Sequence, residues 1–241
     1  MIIFEGFLFD VDDTLYNRRA AFVKWAKRYI SEILRVTDRS TLDKIFASTS
    51  VLDSNGYGSK KELIEEFMLL YPPPFDSAYD ATQAYVDFFT ETVLDGPADT
   101  LLKYLEDHDL PFGIVSNGGP RQMEKMKKLG LTGRVNCLFV SETFGIAKPG
   151  AEIFNAAADC LGFPASTILF VGDHPINDIQ GAHDAGMLTA WLHNNQPWPQ
   201  DLVDLKPDVT IGSLDELMPL LRQKAQRNKA ATERETRFEV Y

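Results

Sequence analysis

The chain contains few cysteines, an excess of acidic residues and no long apolar run. Two cysteines, Cys137 and Cys160, occur in 241 residues, which excludes the dense disulfide framework of a small secreted domain, and we expect two reduced core thiols. No segment approaches the length of about 20 apolar residues that crosses a bilayer. The opening residues 1–5 are too short and too soon acidic for a signal peptide, so we expect a cytoplasmic protein that does not associate with membranes.

Positive charge is also scarce. The chain has 24 lysines and arginines against 35 aspartates and glutamates, giving a net charge of −11. Nucleic-acid and anionic-membrane partners require an excess of basic residues, so both classes are disfavoured. A small anionic ligand is still compatible, because a divalent cation and one or two local basic groups can supply the missing charge.

Most of the chain alternates short apolar segments with helical ones. An opening strand at residues 2–8 is followed, beyond residue 95, by five more predicted strands with helices between them. The strands are predicted at residues 112–116, 137–141, 168–172, 188–192 and 208–211. Short apolar strands separated by helices indicate a parallel sheet covered on both faces, so we predict an α/β protein with a Rossmann-like, doubly wound core.

A helical block interrupts this pattern after the first strand. An apolar stripe from Phe22 to Leu34 predicts one amphipathic helix. Further helices are predicted from a capping box at residues 59–62 and over residues 77–93. We therefore divide the chain into a core, residues 1–15 and 96–241, and an inserted helical cap, residues 16–95.

Polar residues follow several of the predicted strands. The first strand runs into Asp10, Asp12 and Thr14, and side chains at i and i+2 of a strand project to the same side. The later positions are Ser116, Asn117, Gly118, Lys148, Asp173, Asn177 and Asp178. Each position alone is weak evidence, because a carboxylate after a strand is more often a helix cap or a turn former. Together they predict one site, because ligands bind beyond the carboxyl ends of parallel strands.

In this order, the residues resemble the four motifs of the haloacid dehalogenase superfamily, in the branch with a helical cap between its first two motifs. The motifs are Asp10-Val-Asp-Asp-Thr14, Ser116, Lys148 and the acids Asp173 and Asp178. The resemblance implies that Asp10 is a nucleophile and that Asp12 is a general acid and base. It also implies that Asp10, Asp173 and the Asp12 carbonyl bind Mg²⁺, and that Lys148 contacts the phosphoryl group.

The remaining residues have supporting roles in this interpretation. Asp178 and Asn177 lie around the metal, and Thr14, Ser116, Asn117 and Gly118 bind phosphate. Asp13 is predicted to cap the following helix, and His174 to form a hydrogen bond rather than a metal bond, because Mg²⁺ prefers oxygen ligands.

The predicted function is a Mg²⁺-dependent phosphatase acting on a small phosphorylated metabolite, such as a nucleotide, a flavin-pathway phosphate or a sugar phosphate. The alternatives are a phosphomutase, a dehalogenase of the same superfamily, a non-catalytic binding module or a phospho-acceptor signalling domain. Asp12 argues against a dehalogenase, since the founding dehalogenases lack this second aspartate. The physiological substrate, the choice between monomer and homodimer, and opening of the cap are left open by these motifs.

Overall fold

The computed structural model describes residues 4–53, 65, 69 and 93–238. The strands are β1 (Gly6–Phe9), β2 (Phe112–Ser116), β3 (Cys137–Val140), β4 (Ile168–Gly172), β5 (Leu188–Leu192) and β6 (Val209–Ile211). The α-helices, numbered along the described chain, are α1 (Arg18–Arg28), α2 (Arg39–Asp53), α3 (Gly96–Asp107), α4 (Pro120–Lys128), α5 (Ser141–Phe144), α6 (Ala151–Leu161), α7 (Gly181–Asp184) and α8 (Met218–Phe238).

The six strands form one parallel sheet in the order β3-β2-β1-β4-β5-β6. The chain builds outward from β1 to β3 and then returns to the other side of β1 with β4. This reversal leaves a crevice at the carboxyl end of β1, where ligands of doubly wound sheets bind. The predicted α/β class and parallel sheet are confirmed.

The central strand β1 is buried on both faces. Phe7, Leu8 and Phe9 are all fully buried, and successive side chains of a strand point to opposite faces. Leu8 belongs to an apolar cluster with Phe154 of α6 and Phe170 of β4. Coverage of both faces explains why β1 reads as an uninterrupted apolar run rather than an alternating one.

Most predicted element bounds agree with the structure. The strands predicted at 112–116, 168–172 and 188–192 coincide with β2, β4 and β5, and β3 and β6 are one residue shorter than predicted. Between β4 and β5, where one of the intervening helices is predicted, the chain forms a π-helical turn, Pro175–Gln180, followed by α7.

At the carboxyl end of the chain, a 3₁₀ turn, Leu214–Leu217, precedes α8. Pro219 is the second residue of α8, where its missing N–H costs no hydrogen bond, so proline restarts the helix rather than kinking it. The polar residues of α8 remain helical to Phe238. No helix among the described residues has the length and apolar character needed to cross a bilayer.

The chain divides into two compact units. One contains Met1–Tyr16 and Val93–Tyr241, which includes the whole sheet, and the other contains Asn17–Thr92. The assignment of residues 16–95 as a cap stays a prediction. The helices predicted from residues 59–62 and over residues 77–93 lie outside the described residues, apart from single positions.

In the second unit, α1 and α2 are joined by an apolar cluster and a buried ion pair. Phe22, Trp25 and Ile45 belong to this cluster, in agreement with the stripe predicted from the sequence. The guanidinium of Arg18 donates to both carboxylate oxygens of Asp53, at 2.8 and 2.5 Å. Arg18 is therefore paired within its own unit.

The two cysteines are bonded to each other, with their Cα atoms 5.8 Å apart. The prediction of two reduced thiols was wrong for this structure. Cys137 begins β3 and Cys160 lies in the last turn of α6. Packing of a helix against a strand decides the distance between these thiols, and their separation of 23 residues in the sequence does not reveal it.

Candidate active site

The carboxyl ends of β1 and β4 bring three acids and a lysine together. The ammonium group of Lys148 donates to Asp10 Oδ1 and to Asp178 Oδ1, each at 2.6 Å. The side chains of Lys148 and Asp178 are both 2% exposed. Carboxylate oxygens of Asp10, Asp173 and Asp178 also lie within 4.8 Å of one another. The first, third and fourth predicted motifs therefore meet in one small volume.

This arrangement fits a hard divalent cation. Mg²⁺ takes oxygen ligands and is usually held by one or two carboxylates together with water and substrate phosphates. The three carboxylates supply that donor chemistry and an excess of negative charge beyond the single lysine. Asp178 is close enough to act as a direct ligand as well as in the outer role predicted for it.

Burial and charge shift the ionisation of the cluster. Burial raises the pKa of the Asp10 carboxyl to about 7; Lys148 opposes this shift, and the charges of Asp178 and Asp12 add to it. Burial also acts to lower the pKa of Lys148, but the charges of Asp10 and Asp178 outweigh it and raise that pKa above its usual value. The lysine is therefore cationic throughout the accessible pH range, while Asp10, even beside it, is only partly ionised near neutral pH and needs a further positive charge to be fully ionised there.

The side chain of Asn117 holds the backbone of Lys148 in place. The Asn117 amide donates to the Lys148 carbonyl at 2.9 Å, and the Lys148 N–H donates to Asn117 Oδ1 at 2.8 Å. The peptide bond between Lys148 and Pro149 is cis. The side chain of Asn117 thus positions the lysine, and a phosphate contact by its backbone amide stays a prediction.

Asp178 approaches β4 closely because residue 172 is glycine. A Cβ atom at Gly172 would lie 2.5 Å from the side chain of Asp178. Asp178 Oδ2 accepts from the His174 N–H at 2.9 Å. His174 Nδ1 accepts from the Ile176 and Asn177 N–H groups, and burial lowers the pKa of this histidine. His174 is therefore engaged with the backbone at the start of the π-helical turn.

Asp173 is held through its carbonyl oxygen. The indole N–H of Trp191, on β5, donates to that oxygen at 2.8 Å. Trp191 also packs edge to face against Trp198, with ring centroids 4.8 Å apart. The position of this predicted metal ligand therefore depends on a neighbouring strand.

The Asp12 carboxylate makes a separate set of contacts. The ammonium group of Lys125 contacts Oδ1 and lies 2.6 Å from Oδ2. Gln122 Nε2 donates to Asp12 Oδ2 at 2.9 Å and to Ser116 Oγ at 2.8 Å. Asp12 is not part of the carboxylate cluster of the described residues, so its side chain is held apart from the acids that could bind a metal.

The turn that carries Asp12 has an unusual backbone. Asp13 has φ of 57°, in the left-handed region that few residues other than glycine adopt, and its carbonyl accepts from Asn194 Nδ2 at 2.7 Å. The prediction that Asp13 caps the next helix was wrong. Asn17 is the N-cap of α1, and its side chain accepts from the Ala20 N–H at 2.9 Å. The extra residues of the turn separate Asp13 from the helix start.

The predicted phosphate ligands lie at the ends of β1 and β2. The Thr14 hydroxyl is buried, and no described residue is its hydrogen-bond partner, as expected of a group whose partner is a ligand. Ser116 is 1% exposed. The Gly118 N–H donates to Ser141 Oγ at 3.0 Å, so that amide is already engaged in this structure. Direct phosphate contacts by these residues stay predictions.

Comparison with known proteins identifies the family. Residues 7–192 match the haloacid dehalogenase-like hydrolases. The chain belongs to this family. It is therefore a hydrolase, and the predicted superfamily is confirmed.

Three relatives illustrate the range within this hydrolase family. A glyceraldehyde 3-phosphate phosphatase of Methanocaldococcus jannaschii is 28% identical over 226 residues, 90% of this chain and 97% of that protein. A pyrimidine 5′-nucleotidase of Escherichia coli is 33% identical over 144 residues, 58% of this chain and 62% of that protein. The magnesium-bound hydrolase YfnB of Bacillus subtilis has a TM-score of 0.68 and 26% identity, covering 91% of this chain and 99% of that one.

Three residues that contact the family motifs were not found from the sequence. Gln122 and Lys125 lie on α4, and Trp191 lies on β5. The only sequence signal was their spacing, because Gln122 and Lys125 are three residues apart and so share a helical face. Nothing in the sequence shows that this face meets Asp12, which is more than a hundred residues away.

Proposed function

We propose that this hydrolase of phosphoric monoesters releases phosphate from a small sugar phosphate, using Mg²⁺ and a covalent aspartyl phosphate on Asp10. The observation that carries the proposal is the buried cluster of Asp10, Asp173 and Asp178 around the ammonium group of Lys148. This cluster can hold a cation and a phosphate dianion next to a carboxylate nucleophile.

In the first step, a carboxylate oxygen of Asp10 attacks phosphorus. The bond between phosphorus and the substrate oxygen breaks, and Asp12 transfers a proton to that leaving oxygen. Lys148 supplies positive charge to the phosphoryl group and orients Asp10 through their 2.6 Å contact. When bound, Mg²⁺ would be held by Asp10, Asp173 and the Asp12 carbonyl, with Asp178 beside them, and would neutralise charge on the phosphoryl oxygens.

In the second step, a water molecule attacks the phosphorus of the aspartyl phosphate. Asp12, now ionised, accepts a proton from this water, and the bond between phosphorus and Asp10 breaks. Inorganic phosphate leaves, and both carboxyl groups return to their starting states. The separation of Asp12 from the carboxylate cluster supports this division of roles, because one carboxylate serves as nucleophile while the other exchanges protons.

A sugar phosphate as the substrate is supported by the glyceraldehyde 3-phosphate phosphatase of Methanocaldococcus jannaschii, whose match covers 90% of this chain. The pyrimidine nucleotidase matches only 58% of it. A match over most of the chain is the better guide to the substrate, because it includes residues outside the four motifs.

Phosphate release should be measured with Mg²⁺ across glyceraldehyde 3-phosphate, other sugar phosphates, pyrimidine nucleoside monophosphates, flavin mononucleotide and p-nitrophenyl phosphate. We expect the highest kcat/KM with a sugar phosphate, and loss of activity with a chelator. Asp10→Asn should be inactive. Asp12→Asn should lose about 10²- to 10⁴-fold, the usual contribution of general acid–base catalysis.

Covalent catalysis requires a separate measurement. Quenching turnover with borohydride, which reduces an acyl phosphate, should convert Asp10 of the wild type to homoserine, as detected by peptide mass spectrometry. The same treatment should leave the side chain at this position unchanged in the Asp10→Asn variant. Isomerised substrate without phosphate release would identify a mutase. Hydrolysis that persists in Asp10→Asn would contradict the covalent route.

A further inference from the structure

We propose that Lys125 and Gln122 are positioning residues that fix the Asp12 carboxylate for proton transfer to the leaving group. This inference rests on the proposed function, because it assigns a task to two residues that act only through Asp12. Both residues lie on α4, which follows β2 in the chain.

The two partners in the contact between Lys125 and Asp12 differ in burial. The Lys125 side chain is 2% exposed, whereas that of Asp12 is 28% exposed. Lysine is rarely fully buried without a partner, and desolvating its charge is costly. An aspartate at a partly open site has no such need of a buried cation. The lysine therefore reaches out of the core toward the carboxylate and does not compensate a buried acid.

The Asp12 carboxylate is held from more than one direction. Lys125 contacts both of its oxygens, and Gln122 donates to Oδ2 from the preceding turn of the same helix. Three donor contacts from two side chains restrict both the position and the rotation of the carboxylate group. The Lys125 ammonium group also lies 5.5 Å from the ring centroid of Tyr16, so α4 contacts this turn at two of its residues.

Gln122 also links Asp12 to Ser116. One amide nitrogen, Gln122 Nε2, donates to both Asp12 and the Ser116 hydroxyl. The proposed proton donor and a predicted phosphate ligand are therefore held by the same group. Proton transfer depends on such geometry, since a misplacement of about 1 Å can cost about 10²-fold in rate.

The experiment exploits the leaving group. A substrate with an alkoxide leaving group, such as a sugar phosphate, needs a proton in the first step, whereas p-nitrophenyl phosphate releases a stable anion without one. The ratio kcat/KM covers substrate binding and this first step, and later hydrolysis of the aspartyl phosphate does not enter it. The test variants are Lys125→Met and Gln122→Met, which keep the side-chain length but remove the hydrogen-bond donors. The matched control is Lys128→Met, at an exposed site on the same helix.

We expect Lys125→Met to lower kcat/KM for the sugar phosphate about 10- to 100-fold, the loss that a displacement of the proton donor by up to about 1 Å would cause. The loss with p-nitrophenyl phosphate should be at least about fivefold smaller, by the same dependence on proton donation. Gln122→Met should show the same inequality with a smaller loss, and Lys128→Met should match the wild type with both substrates. If Lys125 had a purely structural role, its loss would lower kcat/KM by the same factor for both substrates.

Asp12→Asn separates failure of this inference from failure of the proposed function. If Asp12→Asn shows the leaving-group dependence and the folded variants of Lys125 and Gln122 do not, the positioning role is wrong and the proposed function stands. If Asp12→Asn shows no such dependence, the acid role of Asp12 fails, and the positioning role fails with it. Thermal unfolding identifies variants that do not fold, and Gln122→Met decides the question if Lys125→Met is one of them.

Discussion

Lys148→Met should destabilise the metal-free protein, and Mg²⁺ should recover most of the loss. The Lys148 ammonium group lies 2.6 Å from one oxygen of Asp10 and 2.6 Å from one oxygen of Asp178, and its side chain is almost fully buried. Methionine retains the length and the apolar stem but removes the charge. The variant therefore leaves the buried acids without their cation, so the folded state must either hold their charges together or protonate Asp10, and both cost free energy.

The expected magnitude follows from the geometry. Carboxylate oxygens of Asp10, Asp173 and Asp178 lie within 4.8 Å of one another. Two unit charges at that distance repel by about 3.5 kcal/mol at an effective dielectric constant of about 20. Removing one partner of a buried ion pair typically costs about 3–5 kcal/mol. Since about 1 kcal/mol shifts Tm by about 2–4 °C in proteins of this size, we expect Tm to fall by about 10 °C.

Differential scanning calorimetry should compare the wild type with Lys148→Met, Lys148→Met/Asp10→Asn and Lys128→Met, each with a chelator and with saturating Mg²⁺. A divalent cation replaces the missing positive charge, so the loss of Tm in Lys148→Met should shrink when Mg²⁺ is added. Asp10→Asn removes one of the repelling acids, so the double variant should be more stable than Lys148→Met in the chelator. Lys128→Met should match the wild type in both conditions.

Two results would refute this reasoning. One is an equal fall in Tm for Lys148→Met with and without Mg²⁺, because repulsion among the acids would then not be the cause. The other is a double variant no more stable than Lys148→Met, because Asp10 would then carry no penalty in the absence of the lysine.

Four other perturbations test separate contacts. Mg²⁺ binds the ionised carboxylate, and burial raises the pKa of Asp10 in the metal-free protein to about 7. The affinity for Mg²⁺ should therefore be retained above that pH and fall below it, and calorimetric titration should find binding about tenfold weaker at about pH 6 than at about pH 8. Trp191→Phe removes the indole donor described above and should weaken Mg²⁺ binding about tenfold, and unchanged binding would contradict this role. Asn117→Ala removes both hydrogen bonds to the Lys148 backbone and should lower kcat about 10- to 100-fold in steady-state assays. An unchanged kcat would mean that Lys148 keeps its position without Asn117. Arg18→Met should cost about 3–5 kcal/mol in urea unfolding, and Arg18→Met/Asp53→Leu should recover most of it; a double variant as unstable as the single one would contradict the ion-pair explanation.

The elements around the site were largely predictable from the sequence. Strands β2, β4 and β5 are short apolar runs bounded by turn residues and helices, and their bounds coincide with the prediction. The motif residues follow such strands, and parallel strands end at a common edge. A local pattern was therefore sufficient to predict that Asp10, Lys148 and Asp173 meet, because the sheet converts order along the chain into proximity.

Local sequence patterns gave wrong predictions where the conformation depends on contacts with residues far away in the chain. The turn after β1 was expected to lead directly into a capped helix, but Asp13 adopts a left-handed conformation and the cap falls to Asn17. A positive φ in a non-glycine residue depends on contacts such as the one from Asn194, which is 181 residues away. The disulfide between Cys137 and Cys160 was missed for the same reason.

The sequence by itself determined the family, the order of the strands along the chain and the acids and lysine of the motifs, because strand formation and motif spacing are local properties. The tertiary structure decided what holds those groups in place. Lys125 reads in the sequence as one of several lysines on a surface helix, yet its ammonium group is buried against Asp12. Trp191 reads as an apolar strand residue, yet it donates to Asp173. Such contacts join residues far apart in the chain, and only the packing of helices and strands against the sheet brings them within hydrogen-bonding distance.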